Sequence, residues 1–232
     1  MSDYVFVLLS GEEVPVEITA RRGVRNITLR PKVFPKRVIC MSKPWLVSDR
    51  AAIRFLESKQ GWINAIFQKM PCKILLQDGG EICFLGRKII LQHNPNLRSN
   101  KLSDDGAILF VGGAFDMFQR RVRDFVKNEF LREVKDVMRD VPREFLPRRI
   151  ALRDTVSRWG SCSTSGTMSF SWRLAFAPYD VMRYVVMHEL AHTKHMNHSS
   201  EFWATVRELY GGGIERQKRW LAQNGATLHQ YF

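Results

Sequence analysis

The sequence predicts an α+β protein in two parts: a β-rich N-terminal region with one helix over residues 1–113, then a helical core over residues 114–232 organised on one helix that carries H-E-x-x-H. Three observations predict it. Through the first half, apolar and polar residues alternate in short runs between Gly, Pro and Asn, the pattern of half-buried strands. From Phe115 to about Val141, apolar residues recur every three or four positions, the pattern of a helix with one buried face. His188-Glu189-Leu190-Ala191-His192 lies in a segment from Pro178 to about Met196 that no glycine or further proline interrupts.

In chain order, Tyr4 to Leu9 reads as a first strand, since it is short and runs into Gly11-Glu12-Glu13; no secretory signal is expected. Val14 to Thr19 and Asn26 to Arg30 alternate, and Val38 to Met41 gives another short strand. Ser48 is placed to cap a helix from Asp49 to about Met70, with Ile53, Leu56, Trp62, Ile63, Ile66 and Phe67 inward and Pro71 ending it. Strands are expected at Lys73–Gln77, Glu81–Leu85 and Lys88–Gln92, joined by the hairpin-like Asp78-Gly79-Gly80 and Gly86-Arg87. Asn94 to Asp105 reads as a polar loop, and Ala107–Val111 as a strand broken by Gly112-Gly113. The long helix from Phe115 buries Phe118, Val122, Phe125, Val126, Leu131, Val134 and Met138. After Pro147 come strands at Arg149–Thr155 and Thr167–Trp172, separated by the Ser- and Gly-rich stretch Ser157–Ser165. A last helix runs from Ile214 to Ala222.

The chemistry follows from spacing. Helical residues four apart lie on one face, about 6 Å from each other. His188 and His192 can therefore reach one zinc ion, and Glu189 a water on it. Zinc lowers the pKa of a bound water to about 7, and a nearby carboxylate takes the proton. A third ligand is needed. In a continuous helix His195 lies about 10.5 Å along the axis from His188, too far for bonds of roughly 2.0–2.1 Å to one ion. His198 qualifies if the chain turns back, with Asn197 suited to a left-handed turn. Ser199 or Ser200 can cap a new helix through Phe202, Trp203, Val206 and Leu209 to Gly211. The expected zinc ligands are thus His188, His192 and His198, with water at the fourth position. The spacing equals that of metzincin proteases, but His195 replaces their turn glycine and no methionine-turn is evident, so only the spacing is shared. Arg158 is a second catalytic candidate, for stabilising negative charge, or else the partner of a carboxylate; Trp159 lines a subsite or joins the core.

The runs Arg158-Trp159-Gly160-Ser161-Cys162, Ser171-Trp172-Arg173-Leu174, Ala177-Pro178 and Tyr184-Val185-Val186-Met187, together with the histidine motif, Asn197-His198-Ser199 and Phe202-Trp203, resemble the YgjP-like metallopeptidases. These are zincin-type proteins related to the SprT-like group. The match is densest from about Ile150 to Tyr210. Ser171 departs from it, standing where the family's N-W-R-L stretch has asparagine. The resemblance implies a zincin-like metallopeptidase core, zinc held by His188, His192 and His198, and Glu189 as general base. In zincins a strand beside the metal helix pairs with extended substrate, which makes Arg149–Thr155 or Thr167–Trp172 the expected edge.

The net charge of +13 is unusual for 232 residues. The cluster Arg21, Arg22, Arg25, Arg30, Lys32, Lys36 and Arg37 either attracts nucleic acid phosphates or guards strand edges against pairing. Cys40, Cys72, Cys83 and Cys162 contain no C-x-x-C, which argues against a zinc ribbon or redox dithiol and suits reduced thiols in the cytoplasm. No apolar run approaches the roughly 18 residues of a membrane span. The function expected is zinc-dependent hydrolysis of peptide bonds in a peptide or protein. The alternatives are a nucleic-acid-associated protein, whether a SprT-like processor of DNA-bound proteins or a binding module with a metal site, and a metal-dependent hydrolase of a non-peptide amide.

Overall fold

The structure is a computed structural model and describes residues 4–32, 37–69 and 74–232. Lys36, Met70, Pro71, Cys72 and Lys73, on which parts of the sequence reading fall, lie outside the described residues. The fold is α+β, and the chain separates into two compact units, Met1–Cys72 and Lys73–Phe232. The expected division at 113/114 falls inside the second unit. The reason is a shared core: Ile82, Leu91, Leu109 and Val111 from the strands before residue 113 bury in one cluster with Phe118, Val122 and Val126 from the helix after it.

In the first unit, strands β1 (Tyr4–Val7), β2 (Glu13–Arg21), β3 (Thr28–Lys32) and β4 (Val38–Pro44) form a sheet of order β1-β2-β4-β3. β2 and β4 run parallel, the other pairs antiparallel. Val14, Val16, Ile39 and Met41 pack from the sheet against Ala52, Leu56, Ile63 and Phe67. Those four come from two helices, α1 (Asp49–Ser58) and α2 (Gln60–Lys69), where the sequence reads as one. The Ser48 side chain caps α1 as expected, accepting from the Ala51 N–H at 3.2 Å. The break falls at Lys59, after Ser58 turns its hydroxyl back onto the Phe55 carbonyl (2.7 Å), a local bond that competes with helix continuation.

Among the described residues, the second unit holds two sheets and four α-helices. Strands β5 (Glu81–Phe84), β6 (Arg87–Asn94), β7 (Lys101–Leu102) and β8 (Ile108–Gly112) pair in the order β5-β6-β8-β7. The described part of the expected Lys73–Gln77 strand makes one isolated bridge, Ile74 to Tyr231. Helix α3 (Phe118–Val137) is shorter than the expected Phe115–Val141, and its stripe runs through Phe130 rather than Leu131: Phe118, Val122, Val126, Phe130 and Val134 recur at every fourth residue. Strands β9 (Arg149–Arg153), β10 (Gly160–Cys162) and β11 (Thr167–Ser171) form the second sheet in the order β10-β11-β9. A 3-10 segment, Trp172–Phe176, leads from β11 into α4 (Tyr179–Ala191), followed by α5 (Ser200–Tyr210) and α6 (Glu215–Asn224). Arg173 in that segment is buried. Its guanidinium forks onto Asp154 (2.6 and 3.1 Å) and donates to the Tyr231 carbonyl (2.6 Å), tying the C-terminus to the start of the site region. Among the described residues, no helix is long and apolar enough to cross a membrane.

Candidate metal centre

Helix α4 carries the motif and is nearly submerged: Val181, Met182, Val185, Val186, Leu190 and Ala191 are all buried. It ends at Ala191, not near Met196 as the uninterrupted sequence suggests. His192 is its C-cap, and the chain continues in tight turns in which Thr193 Oγ1 donates to the Leu190 carbonyl (2.7 Å). The bend needs no left-handed Asn197, since among the described residues positive φ outside glycine occurs at Leu85 and Phe232. Ser199 then caps α5, accepting from the Phe202 N–H at 3.4 Å, and Gly211 ends that helix with φ +77, the cap region that favours glycine.

This turn-back brings His198 to the two helical histidines. His188, His192 and His198 each offer a nitrogen, all within 4.8 Å of one another, and could hold a metal ion. Nε2 of His188 and Nε2 of His198 are 3.2 Å apart; tetrahedral ligands at 2.0–2.1 Å from one ion would stand about 3.4 Å apart. His195 contributes its backbone instead of its ring. Its carbonyl lies 2.9 Å from Nδ1 of His192, so Nδ1 carries the proton and Nε2 keeps the lone pair a metal needs. Burial, with His192 and His198 adding to it, pushes His188 down to about 4, which keeps this ring neutral at pH 7. The donor set therefore fits a divalent cation. His198 is exposed and stacks on Trp203 (5.7 Å between centroids), leaving the cluster open to solvent on that side.

Glu189 is 5% exposed. Burial pushes it up to about 7, against the opposing pull of the Arg158 guanidinium. It packs directly on β10: a methyl built on Gly160 would sit 2.4 Å from Glu189 Oε1 and 2.6 Å from Cγ. The strand against the metal helix is thus β10, hidden in the stretch read as a Ser/Gly loop. Of the two strands expected there, Thr167–Trp172 supplies β11, which is central and paired on both sides, and Arg149–Thr155 supplies β9, the opposite edge. Sequence reading missed Gly160 and β10. The available signal was a glycine between residues able to pair, which marks close approach of another group.

In antiparallel pairs, residues alternate between facing the partner and facing away. Ser171 N–H donates to the Trp159 carbonyl (2.8 Å) and Ser163 N–H to the Thr167 carbonyl (3.0 Å), so Trp159, Ser161 and Ser163 face β11. The N–H and C=O groups of Gly160 and Cys162 point to the open edge. Trp159 joins the core, with its ring 5.4 Å from that of His229 and against Gly225. Arg158 is exposed at the mouth of the same strand.

Comparison with known proteins gives the family. A search of curated proteins finds no match. Among solved structures, the metallopeptidase zymogen abylysin of Pyrococcus abyssi is 26% identical, with 40% of this chain and 86% of that chain covered and a TM-score of 0.30. The family model described as YgjP-like, metallopeptidase domain, matches residues 25–224. That span takes in most of the chain, from β3 to the end of α6, and on it this protein belongs to the YgjP-like metallopeptidase family.

Proposed function

We propose that this chain is a zinc-dependent peptidase in which His188, His192 and His198 hold the ion and Glu189 is the general base. The observation that carries the reading is the convergence of three imidazoles beside a buried carboxylate on the same helix. When bound, zinc supplies Lewis acidity that polarises a peptide carbonyl and acidifies water. Glu189 takes the proton from the attacking water and returns it to the departing amine. Its seat against Gly160 limits the positions open to that carboxylate. An extended peptide adds along β10, bonding the outward N–H and C=O groups of Gly160 and Cys162. Arg158, the second catalytic candidate, acts on Glu189 through its charge but lines a pocket with Arg153, Ser161 and Ser169, so it is assigned to recognition and not to the carbonyl oxygen.

Metal analysis and digestion of a casein-like substrate test this. Glu189→Gln should keep its zinc and lose about 10² to 10⁴-fold in rate. His198→Ala should lose zinc and His195→Ala keep it. The reverse outcome for the two histidines would show the wrong third ligand, and full activity in Glu189→Gln would remove the base. In the basic cluster Arg37 pairs with Glu12 and Arg22 lies over the Trp45 ring (5.5 Å), contacts that brace the N-terminal sheet. Among the described residues Cys40, Cys83 and Cys162 are free thiols; the cytoplasmic placement rests on the cysteine spacing.

A further inference from the structure

We infer that a pocket on the back of β10 binds a carboxylate of the substrate, either an acidic side chain or a free C-terminus, and directs the enzyme to acidic sequences. The inference rests on the reading of β10 as the substrate-pairing edge. The pocket is about 350 Å³ and is lined by Arg153, Thr155, Arg158, Gly160, Ser161 and Ser169, with Phe170.

Its position follows from the pleat. Successive residues of a strand point to opposite faces. Gly160 turns its Cβ position to Glu189, so Ser161 points to the other face. Ser161 stands opposite Ser169, and Ser169 opposite Ala151, so three small side chains form one row across the sheet. Arg153 is two residues beyond Ala151 and shares that face. The small row leaves a depression, and the two arginines wall it. Among the described residues, no Asp or Glu lines the pocket. Among the described residues neither Arg153 nor Arg158 is in a salt bridge, whereas nearby Arg173 is already paired with Asp154 (2.6 Å). Two guanidiniums beside the Ser161 and Ser169 hydroxyls form a carboxylate receptor, while the Thr155 hydroxyl donates to the Arg158 carbonyl (2.8 Å) and braces that arginine. A peptide added to β10 sends alternate side chains to the two faces. Those on the Glu189 face approach the histidines, and one on the other face enters the pocket. Preference for acid should therefore fall at one substrate position and not at its immediate neighbours.

Fluorescence anisotropy on zinc-loaded Glu189→Gln tests this without turnover. The probes are labelled Ala- and Thr-rich decapeptides near physiological salt. In one series, C-terminally amidated, Glu replaces Gln at each position in turn; in the other, a neutral peptide carries a free or an amidated C-terminus. Charge-assisted hydrogen bonds predict a gain of about tenfold to a hundredfold for Glu at one position, or for the free terminus, and the series that responds identifies the source. Arg153→Gln and Arg158→Gln should each erase most of the gain, and Ser169→Asp should reverse it. Arg21→Gln with Arg22→Gln, in the first unit, should leave it intact, which separates the pocket from bulk charge. Equal binding of every pair, a gain that survives both pocket arginine variants, or no binding of any peptide overturns the inference. Casein turnover by the wild type without acid preference would sink the pocket alone. Carboxylate binding without turnover would sink the peptidase reading alone.

Discussion

The contact between Gly160 and Glu189 makes a single methyl group a sharp test of the site. A Cβ on residue 160 would lie 2.4 Å from Glu189 Oε1, 2.6 Å from Cγ and 2.7 Å from Cδ. Carbon contacts are comfortable at roughly 3.5–4.0 Å, so Gly160→Ala requires the carboxylate to retreat by about 1 Å. Misplacing a reacting group by that distance costs on the order of 10²-fold in rate, or ~2.7 kcal/mol in the barrier. The three atoms nearest that Cβ all belong to Glu189, so the histidines should keep their ion. The assay is kcat/KM on a casein-derived peptide, with zinc content and thermal melting measured on the same preparation. Stability adds a second arm. In a Glu189→Ala background all three clashing atoms are gone, so Gly160→Ala should be neutral or stabilising by about 0.4–1 kcal/mol through the stiffer unfolded chain, whereas beside Glu189 it should destabilise. A Gly160→Ala enzyme within about threefold of wild type, or equal stability effects in the two backgrounds, would refute the idea that β10 sets the position of the base.

Other perturbations follow from the same geometry. Arg173→Met strips two bonds from Asp154 and one from the Tyr231 carbonyl; because Asp154 is half exposed, the loss should be about 2–3 kcal/mol in a denaturant melt, and a change under about 0.5 kcal/mol would contradict it. Ser199→Ala removes the cap of α5 next to His198 and should cost about 1 kcal/mol, with a several-fold weaker hold on zinc in a chelator competition; unchanged competition would separate the cap from the ligand. Burial, then the Arg173 guanidinium, pushes His229 down to about 4 from its ordinary 6.5. The unfolded chain binds that proton first, so stability is full above about pH 6.5 and falls as pH drops toward 4. After allowance for solvent screening, the loss is about 1 kcal/mol at pH 5. His229→Phe should flatten that slope in denaturation at pH 7 and pH 5, and parallel slopes would count against it.

Helical arithmetic made the histidine cluster legible. Four residues return to one face, seven do not return to one ion, and a serine after an Asn-His pair can start a new helix; none of this needs tertiary knowledge. The stop at Ala191 was not legible, because the Thr193 hydroxyl and the His192 ring choose local backbone partners over another turn. The same competition at Ser58 split a helix that reads as one. β10 was hidden for a different reason. Gly160, Ser161 and Cys162 are poor or indifferent strand formers, and their extended shape is decided by β11 and Glu189, residues distant in sequence. The division at Cys72 was hidden likewise: periodicity marks which faces are apolar, but not which of them bury in one core.

Gly160 and Ser161 also show why these small residues are adjacent. On the proposed reading, the metal side of this edge strand needs no side chain, or Glu189 is displaced; the far side needs a short polar one, or the proposed pocket is filled. A strand's twofold period places these two demands on consecutive residues. On the proposed reading, chemistry and recognition then separate along one strand. Enlarging residue 160 should slow turnover and leave peptide preference alone, while Ser161→Val should blunt acid preference with Glu189 still seated. One strand whose neighbouring positions give those two phenotypes separately would be hard to explain by a general loosening of the site.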